Sequence, residues 1–579
     1  MIAAKILKAL LVSLLLAGSA YGVAKLNLFG LEGASDRLAD GVYQRITAAD
    51  YGRDRKGQKL VSVVYLDETS MEAMKGYGWS RFPPTYDQQW TMYDDVLSAG
   101  GAPPTAIFAD YVYTGQGGPS EGFQTFINGV AAATKAAAWQ GAAGCQADPL
   151  VKIACIEAAG GVPMIFAKPS PAELDLFTDV QRQFDAVAVL APALVNDQAY
   201  PMVIRYGFDA AKARRLGVHD FDVSPAMAMY AAWCLKQAAT CGIPVFAQAR
   251  AAAAAALAGR PAASADPTAT FDAPLDVVWG ARPDPDYLAM TQAVTGQRAP
   301  CRGEASGWVG RLGEQLAGLR GPGSGDRQEC PYALTLGYDR IVAGVGLQSA
   351  DLQRLLAGKL VLLGSQFLAS NDWVDSPVQG QAPGVHYHAM ALDNLIEDGA
   401  DYRRNASLML DSDLLKSLLI AALAFCGVLG VMARNSLLDH AIATRDEQRL
   451  RWVVYGPLYI LIFGASIGMV FAATWFGVAF AHRAPINWIG ITACVLGFLF
   501  YATRQTLPAD ILGSIEHLHW VRRGMAALRL LRQHLKFEED RLMTHRAPRP
   551  TPPTESTEVV PEAAGKNNVP AEAPVHVQS

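Results

Sequence analysis

Most signatures that would announce an enzyme are missing from this sequence. It has no Walker-type phosphate loop, no dinucleotide-binding glycine fingerprint between a strand and a helix, and no His-Glu-x-x-His pair. Gly364-Ser365 ends an apolar run but lies in no Gly-x-Ser-x-Gly elbow. A basic surplus is also missing. The 579 residues carry 49 Lys and Arg against 54 Asp and Glu, a formal net charge of -5, which argues against a nucleic-acid partner. Cysteine is scarce, with eight in the chain, two of them (Cys426 and Cys494) inside apolar stretches. No metal-binding spacing accompanies the others, so neither a metal nor a cofactor is expected.

Charge is absent where the apolar runs are. Val453 to Phe480 and Ala484 to Thr503 contain no charged residue, and Leu414 to Ala433 contains only Lys416, which can snorkel. Each matches the roughly 20 residues that a membrane-spanning helix needs. At the amino terminus Lys5 and Lys8 precede an apolar run ending near Gly18-Ser19-Ala20, read as a cleaved signal peptide or as an uncleaved anchor from Ile6 to about Val23. Arg434, Arg445, Arg449 and Arg451 lie between the first two closing spans, whereas the turn at 481–485 has only Arg483. The positive-inside rule then places 434–452 and 504–579 in the cytoplasm and the large polar region outside it. The expected organisation is an N-terminal anchor or signal (1–24), a periplasmic domain (25–410), three transmembrane helices (411–503), a cytoplasmic amphipathic helix (504–545) and a disordered tail (546–579). A multi-pass protein of a bacterial inner membrane follows.

Within 25–410 the patterning alternates. Lys59 to Leu66, Thr105 to Phe108, Val162 to Ala167, Ala186 to Leu190, Met202 to Tyr206 and Lys359 to Leu363 read as strands. Tyr86 to Ala99, Glu121 to Trp139, Ser224 to Ala239 and Gln348 to Leu356 read as helices, and Thr69 with Glu72 as a capping box. Such alternation predicts an α/β domain with a mostly parallel sheet, to which the α-helical membrane region is added. The stretch 242–330, with its alanine run Ala251 to Ala256, reads as insertion and surface connection. Near the end, Val385 to His388 reads as a short strand and Ala389 to Ile396 as an amphipathic helix. Cys145 with Cys155, Cys234 with Cys241 and Cys301 with Cys330 are neighbours able to close local loops in an oxidising compartment, the alternative being buried thiols.

Three acids, Asp67, Asp110 and Asp372, fall where strands or loops open onto the carboxyl edge of such a sheet, the edge at which ligands bind. They read either as ligand or cation contacts or as caps on backbone amides. His386 and His388, two apart in the expected strand, would share a face; they read as a chelating pair or as packed histidines. Tyr77, Trp79, Phe82 and Trp373 read as pocket lining or as loop anchors.

The runs VSVVYLDETSM, FADYVY and GKLVLLGSQF...NDW...SP...PGVHYHAMALDNLI together resemble the second type of CHASE domain, the extracellular sensory domain associated with cyclases and histidine kinases. The resemblance covers about 25–405 and the arrangement of one span before and three after. It implies a sensory role. By carry-over Asp67, Asp110, Asp372 and His388 match recurrent positions, and Trp79 with Arg81 match the loop approximately. A cyclase or kinase output domain needs on the order of 150 residues, and 504–579 offers neither the length nor a nucleotide-binding signature. The expected function is a membrane sensor for an unknown periplasmic signal, a possible homodimer, passing it to a separate cytoplasmic output protein. The apolar repeat from Ile511 to Leu542 would contact that partner, a second copy or anionic lipid. An envelope scaffold without a small ligand is the alternative, and a hydrolase using Asp67, Asp110 and His388 is a third reading.

Overall fold

A computed structural model describes residues 31–48, 50–52, 56–79, 82–113, 121–146, 148–168, 179–193, 199–205, 221–237, 241–286, 330–342, 349–367 and 372–404, with a few isolated positions besides. Two compact units divide the chain: Met1–Ala20, Leu418–Ile467 and Ile491–Pro574 form one, and Tyr21–Ser417, Gly468–Gly490 and Val575–Ser579 the other. Nearly all described residues belong to the second. The four apolar segments lie almost wholly outside the described residues, as do 504–579. Among the described residues no helix is long and apolar enough to cross a membrane.

In chain order the domain runs through helices α1 (Leu31–Thr47) and α2 (Lys56–Leu60), strand β1 (Val61–Leu66), and helices α3 (Glu68–Met74) and α4 (Tyr86–Ala99). Strand β2 (Ala106–Ala109) follows, then α5 (Glu121–Ala133), α6 (Ala136–Trp139) and α7 (Pro149–Ala158), then β3 (Met164–Lys168), α8 (Asp179–Val187) and β4 (Val189–Pro192). Next come β5 (Val203–Arg205), β6 (Phe221–Val223), α9 (Pro225–Lys236), α10 (Pro244–Leu257) and β7 (Leu334–Gly337). Helix α11 (Ser349–Leu356), strands β8 (Leu360–Ser365), β9 (Trp373–Ser376) and β10 (Gly380–Pro383), and helix α12 (Gly384–Asp398) close it. The principal sheet is parallel, in the order β4-β3-β2-β8-β1-β7. The late strand β8 is therefore inserted between the first two, with Leu362 in register with both Val63 and Phe108. Its four residues Leu360 to Leu363 are fully buried, as a strand covered on both faces must be.

Alternation along β2 and β3 assigns the two helical layers. Phe108 points at His388 of α12, ring centroids 5.2 Å apart, while Phe166, paired with Ala109 and so on the opposite face, meets Tyr93 of α4 at 5.7 Å. Helices α9 and α12 pack on each other over the first face, and α4 and α5 over the second. Apart from the main sheet, β5 pairs with β6 and β9 with β10, each antiparallel.

Four sequence expectations change. Residues 385–388 are helical, because α12 starts immediately after Pro383, which has no amide hydrogen to lose. The segment around Trp373 is a β-hairpin, not an open loop. The expected helix over 121–139 breaks at Lys135, whose φ is +56°. There the Thr134 hydroxyl donates to the Val187 carbonyl and Trp139 donates its indole N–H to the Thr134 carbonyl, so tertiary bonds override the helical ladder. Finally, the alanine run is core. Ala249, Ala252, Ala253 and Ala256 of α10 are buried, and small side chains let this helix sit close to α7 and to Gly144. Disulfides Cys145–Cys155 and Cys234–Cys241 lie at either end of this helical layer. Cys330 is also disulfide-bonded, and Cys301 lies outside the described residues.

Candidate functional site

The carboxyl edge over β2 and β8 gathers Asp110, Asp372 and His388. Asp110 follows β2 directly, and its amide donates to the Leu363 carbonyl at 2.8 Å, extending the ladder by one residue. Tyr111 then turns its hydroxyl back onto the Gly364 carbonyl, 2.6 Å away. Gly364 is needed here for space: a Cβ would lie 2.6 Å from Val385, so a side chain would push the start of α12 off the sheet. Asp372 precedes the hairpin, and its backbone carbonyl accepts from the Gly384 amide at 2.9 Å. Its carboxylate lies over the same glycine, where a Cβ would come within 2.0 Å of Oδ1.

His388 stands one turn into α12. Its Nδ1 is 2.6 Å from the Tyr200 hydroxyl, which also accepts from the Ala226 amide at the start of α9. That amide leaves the Tyr200 proton for Nδ1, and a neutral imidazole then carries its own proton on Nε2. Nε2 faces Asp110 Oδ2 across 3.8 Å, beyond direct hydrogen bonding. Burial pushes His388 down to about 3, so the ring is neutral at physiological pH. Burial raises Asp372 to about 6, the Gly384 amide opposing, and raises Asp110 well above the usual carboxylate range, with Asp372's negative charge adding to the effect. Asp372 Oδ2 is buried and has no hydrogen-bond partner among the described residues. An enclosed pair of carboxylates with no cation beside it among the described residues binds a proton readily.

The other expected residues are dispersed. Asp67 is the N-cap of α3, accepting from the Ser70 amide at 2.7 Å. Trp79 is buried and stacks on Tyr338 at 5.4 Å, whose hydroxyl donates to Asp95 at 2.6 Å. These two serve the β1–β7 side of the molecule. Tyr77 is exposed, and Phe82 packs on Phe367 with centroids 4.2 Å apart. Arg81 and Asn371 lie outside the described residues. His386, two positions before His388, is about 200° round the helix from it, so the pair shares no face, contrary to the strand reading. Burial lowers it to about 4. Among the described residues no group of three or more His, Cys, Asp or Glu could hold a metal ion.

Tyr200 escaped the sequence reading. It lies 188 residues from His388, bridged to Leu275, and nothing local marks it. Tyr111 was adjacent to an expected residue, but its carbonyl partner depends on the insertion of β8 beside β2.

The CHASE2 domain family model aligns with residues 11–431. No curated protein and no solved structure matches the chain. The family is sensory rather than catalytic. The match spans the parallel α/β core, the carboxyl-edge cluster and the residues on either side of them, and the chain belongs to the CHASE2 family of extracellular sensory domains.

Proposed function

We propose that this is a bacterial inner-membrane sensory protein whose periplasmic domain detects a signal at the Asp110–Asp372–His388 cluster. The signal is relayed through the spans at 411–503 to a separate cytoplasmic partner. The observation that carries the reading is the cluster itself, joined to the start of α12, within a domain of a sensory family. The layout of apolar segments and arginines supports the orientation. Helix α12 ends at Asp398 and the first closing apolar segment begins at Leu414, so any change at the start of the helix has a short covalent route onward.

A buried ion cluster strengthens that route. Arg403, just beyond α12, donates to Asp276 at 2.5 Å and to Asp40 of α1 at 3.0 Å. It thereby ties the helix that follows the N-terminal segment to the stretch that precedes the closing spans. The test is deletion of 509–579, which contains the amphipathic repeat. The cellular response is lost while the periplasmic domain keeps its protease resistance and its disulfides. An unchanged response in that truncation would remove the relay.

A further inference from the structure

We propose that the Asp110–Asp372 pair is a proton-binding site through which the domain senses acidity, with α12 as the element that carries the change. The inference rests on the sensory reading above and names its signal. Three features of the geometry lead to it. First, the site is enclosed: Asp110 is 4 % exposed, Asp372 6 % and His388 1 %. A proton can reach groups so covered; a larger ligand would have to open the edge first. Second, among the described residues no lysine or arginine pairs with either carboxylate. Elsewhere the fold supplies cations to buried acids, as Lys168 does for Asp222 and Arg403 for Asp276. Third, Asp372 Oδ2 is buried without a hydrogen-bond partner among the described residues. Protonation turns an acid oxygen into a hydroxyl donor, which is the group an unsatisfied oxygen beside a second carboxylate lacks.

The surroundings favour one proton held by the pair. Among the described residues the titratable groups facing it are Tyr111 after β2, Tyr200 ahead of β5 and His388 on α12; the Gly364 carbonyl of β8 and the Ala226 amide of α9 hold the two tyrosine hydroxyls. Tyr111 and Tyr200 stay protonated, because burial raises both further above their ordinary range. His388 stays neutral for the same reason. The carboxylates are thus the groups left to titrate, and they do so as a unit rather than singly.

Protonation also acts on α12. An ionised Asp372 lies at the positive end of the helix dipole and over the Gly384 amide, a favourable placement that fades when the charge is neutralised. The same event lowers the repulsion between Asp372 and Asp110. The hairpin β9–β10 and the first turn of α12 therefore hold different electrostatic contacts in the two states, and differential contacts of this kind are what a switch requires.

Infrared difference spectroscopy tests the proposal on the full chain in lipid nanodiscs, stepping from about pH 8 to about pH 5. One protonated-carboxyl component grows on acidification in the unaltered protein and is missing from both Asp110→Asn and Asp372→Asn, over a background that Asp393, raised to about 8, contributes to every variant. It survives in Asp372→Glu, which separates loss of the acid from loss of the fold. Hydrogen-exchange protection over 384–388, the first turn of α12 beside Asp372, changes with pH in the unaltered protein and not in Asp372→Asn. A band unchanged by either asparagine overturns the proposal. So does a band that shifts at constant pH when methylammonium is added, since the site would then be one for organic cations. If the band behaves as described while the 509–579 deletion leaves the response intact, the proton site stands and the relay falls; the reverse pattern leaves the sensor without this signal.

Discussion

At the scale of single residues, Asp393 shows how much an enclosed acid can bias this fold. It sits on the inner side of α12 and accepts from the Tyr51 hydroxyl at 2.6 Å. Burial, with Glu397 and Asp398 near by, lifts it from 3.8 to about 8, the Tyr51 hydroxyl working the other way. A group whose folded-state pKa is raised binds its proton more tightly when folded. Its contribution to stability is complete below the unfolded value and is lost as pH rises through the folded one. Thermal unfolding of the full chain should therefore show a melting temperature that falls as pH rises from about 4 to about 8, and Asp393→Asn should flatten that fall. His386 and His388 act with the opposite sign. Their folded pKa values of about 4 and about 3 favour the neutral ring, so acidification below 6.5 removes stability. Measuring Asp393→Asn and His386→Gln in parallel separates the two contributions, because the slopes they remove have opposite signs.

At the scale of elements, α1, the 271–286 segment and the end of α12 meet at Arg403. Its guanidinium is almost wholly buried between Asp276 and Asp40, and the Gln44 side chain donates to Asp40 at 2.7 Å. Breaking a buried pair by removing one partner costs about 3–5 kcal/mol, because the remaining charge stays buried without compensation. Arg403→Met should cost about that much in chemical unfolding. Adding Asp40→Asn and Asp276→Asn should recover a large share, since the cluster's value then lies in orientation more than in stability. Equal losses in the single and triple variants would assign the cost to packing of the arginine stem. Such long-range ties mark what local reading reaches. Tyr86 to Ala99 was legible to the residue, with Thr85 donating its amide to Gln88 at one end and Gly100 at the other. The place of Asp110 directly after β2 followed from patterning as well, whereas Asp372, read in a loop, precedes the hairpin strand β9. The helix over 385–388 did not, because Val-His-Tyr-His has strand character and only Pro383 and the packing against Gly364 decide otherwise. Nor did the burial of α10, where a polyalanine sequence gives no periodicity to show which side faces in.

At the scale of the whole molecule, the proposed topology makes opposite demands on loops only a few tens of residues apart. The segment 434–452 carries Arg434, Arg445, Arg449 and Arg451, and 481–485 carries Arg483 alone. Retention of arginine on the cytoplasmic side sets orientation within short loops, so the first should be cytoplasmic and the second periplasmic. The disulfides Cys145–Cys155 and Cys234–Cys241 make the same demand on the main domain, since such bonds persist where thiols are not kept reduced. A phosphatase reporter that folds only in an oxidising compartment should therefore be active when fused after residue 404 or after Ala484, and inactive when fused after Asp446. Activity after Asp446 would invert the last two spans and place 509–542 on the periplasmic side, out of reach of a cytoplasmic partner. Replacing Arg445, Arg449 and Arg451 with Gln weakens the bias without touching the apolar segments. Mixed activity at both fusion points in that variant would trace the orientation to those charges, because hydrophobicity, the other determinant of insertion, is unchanged.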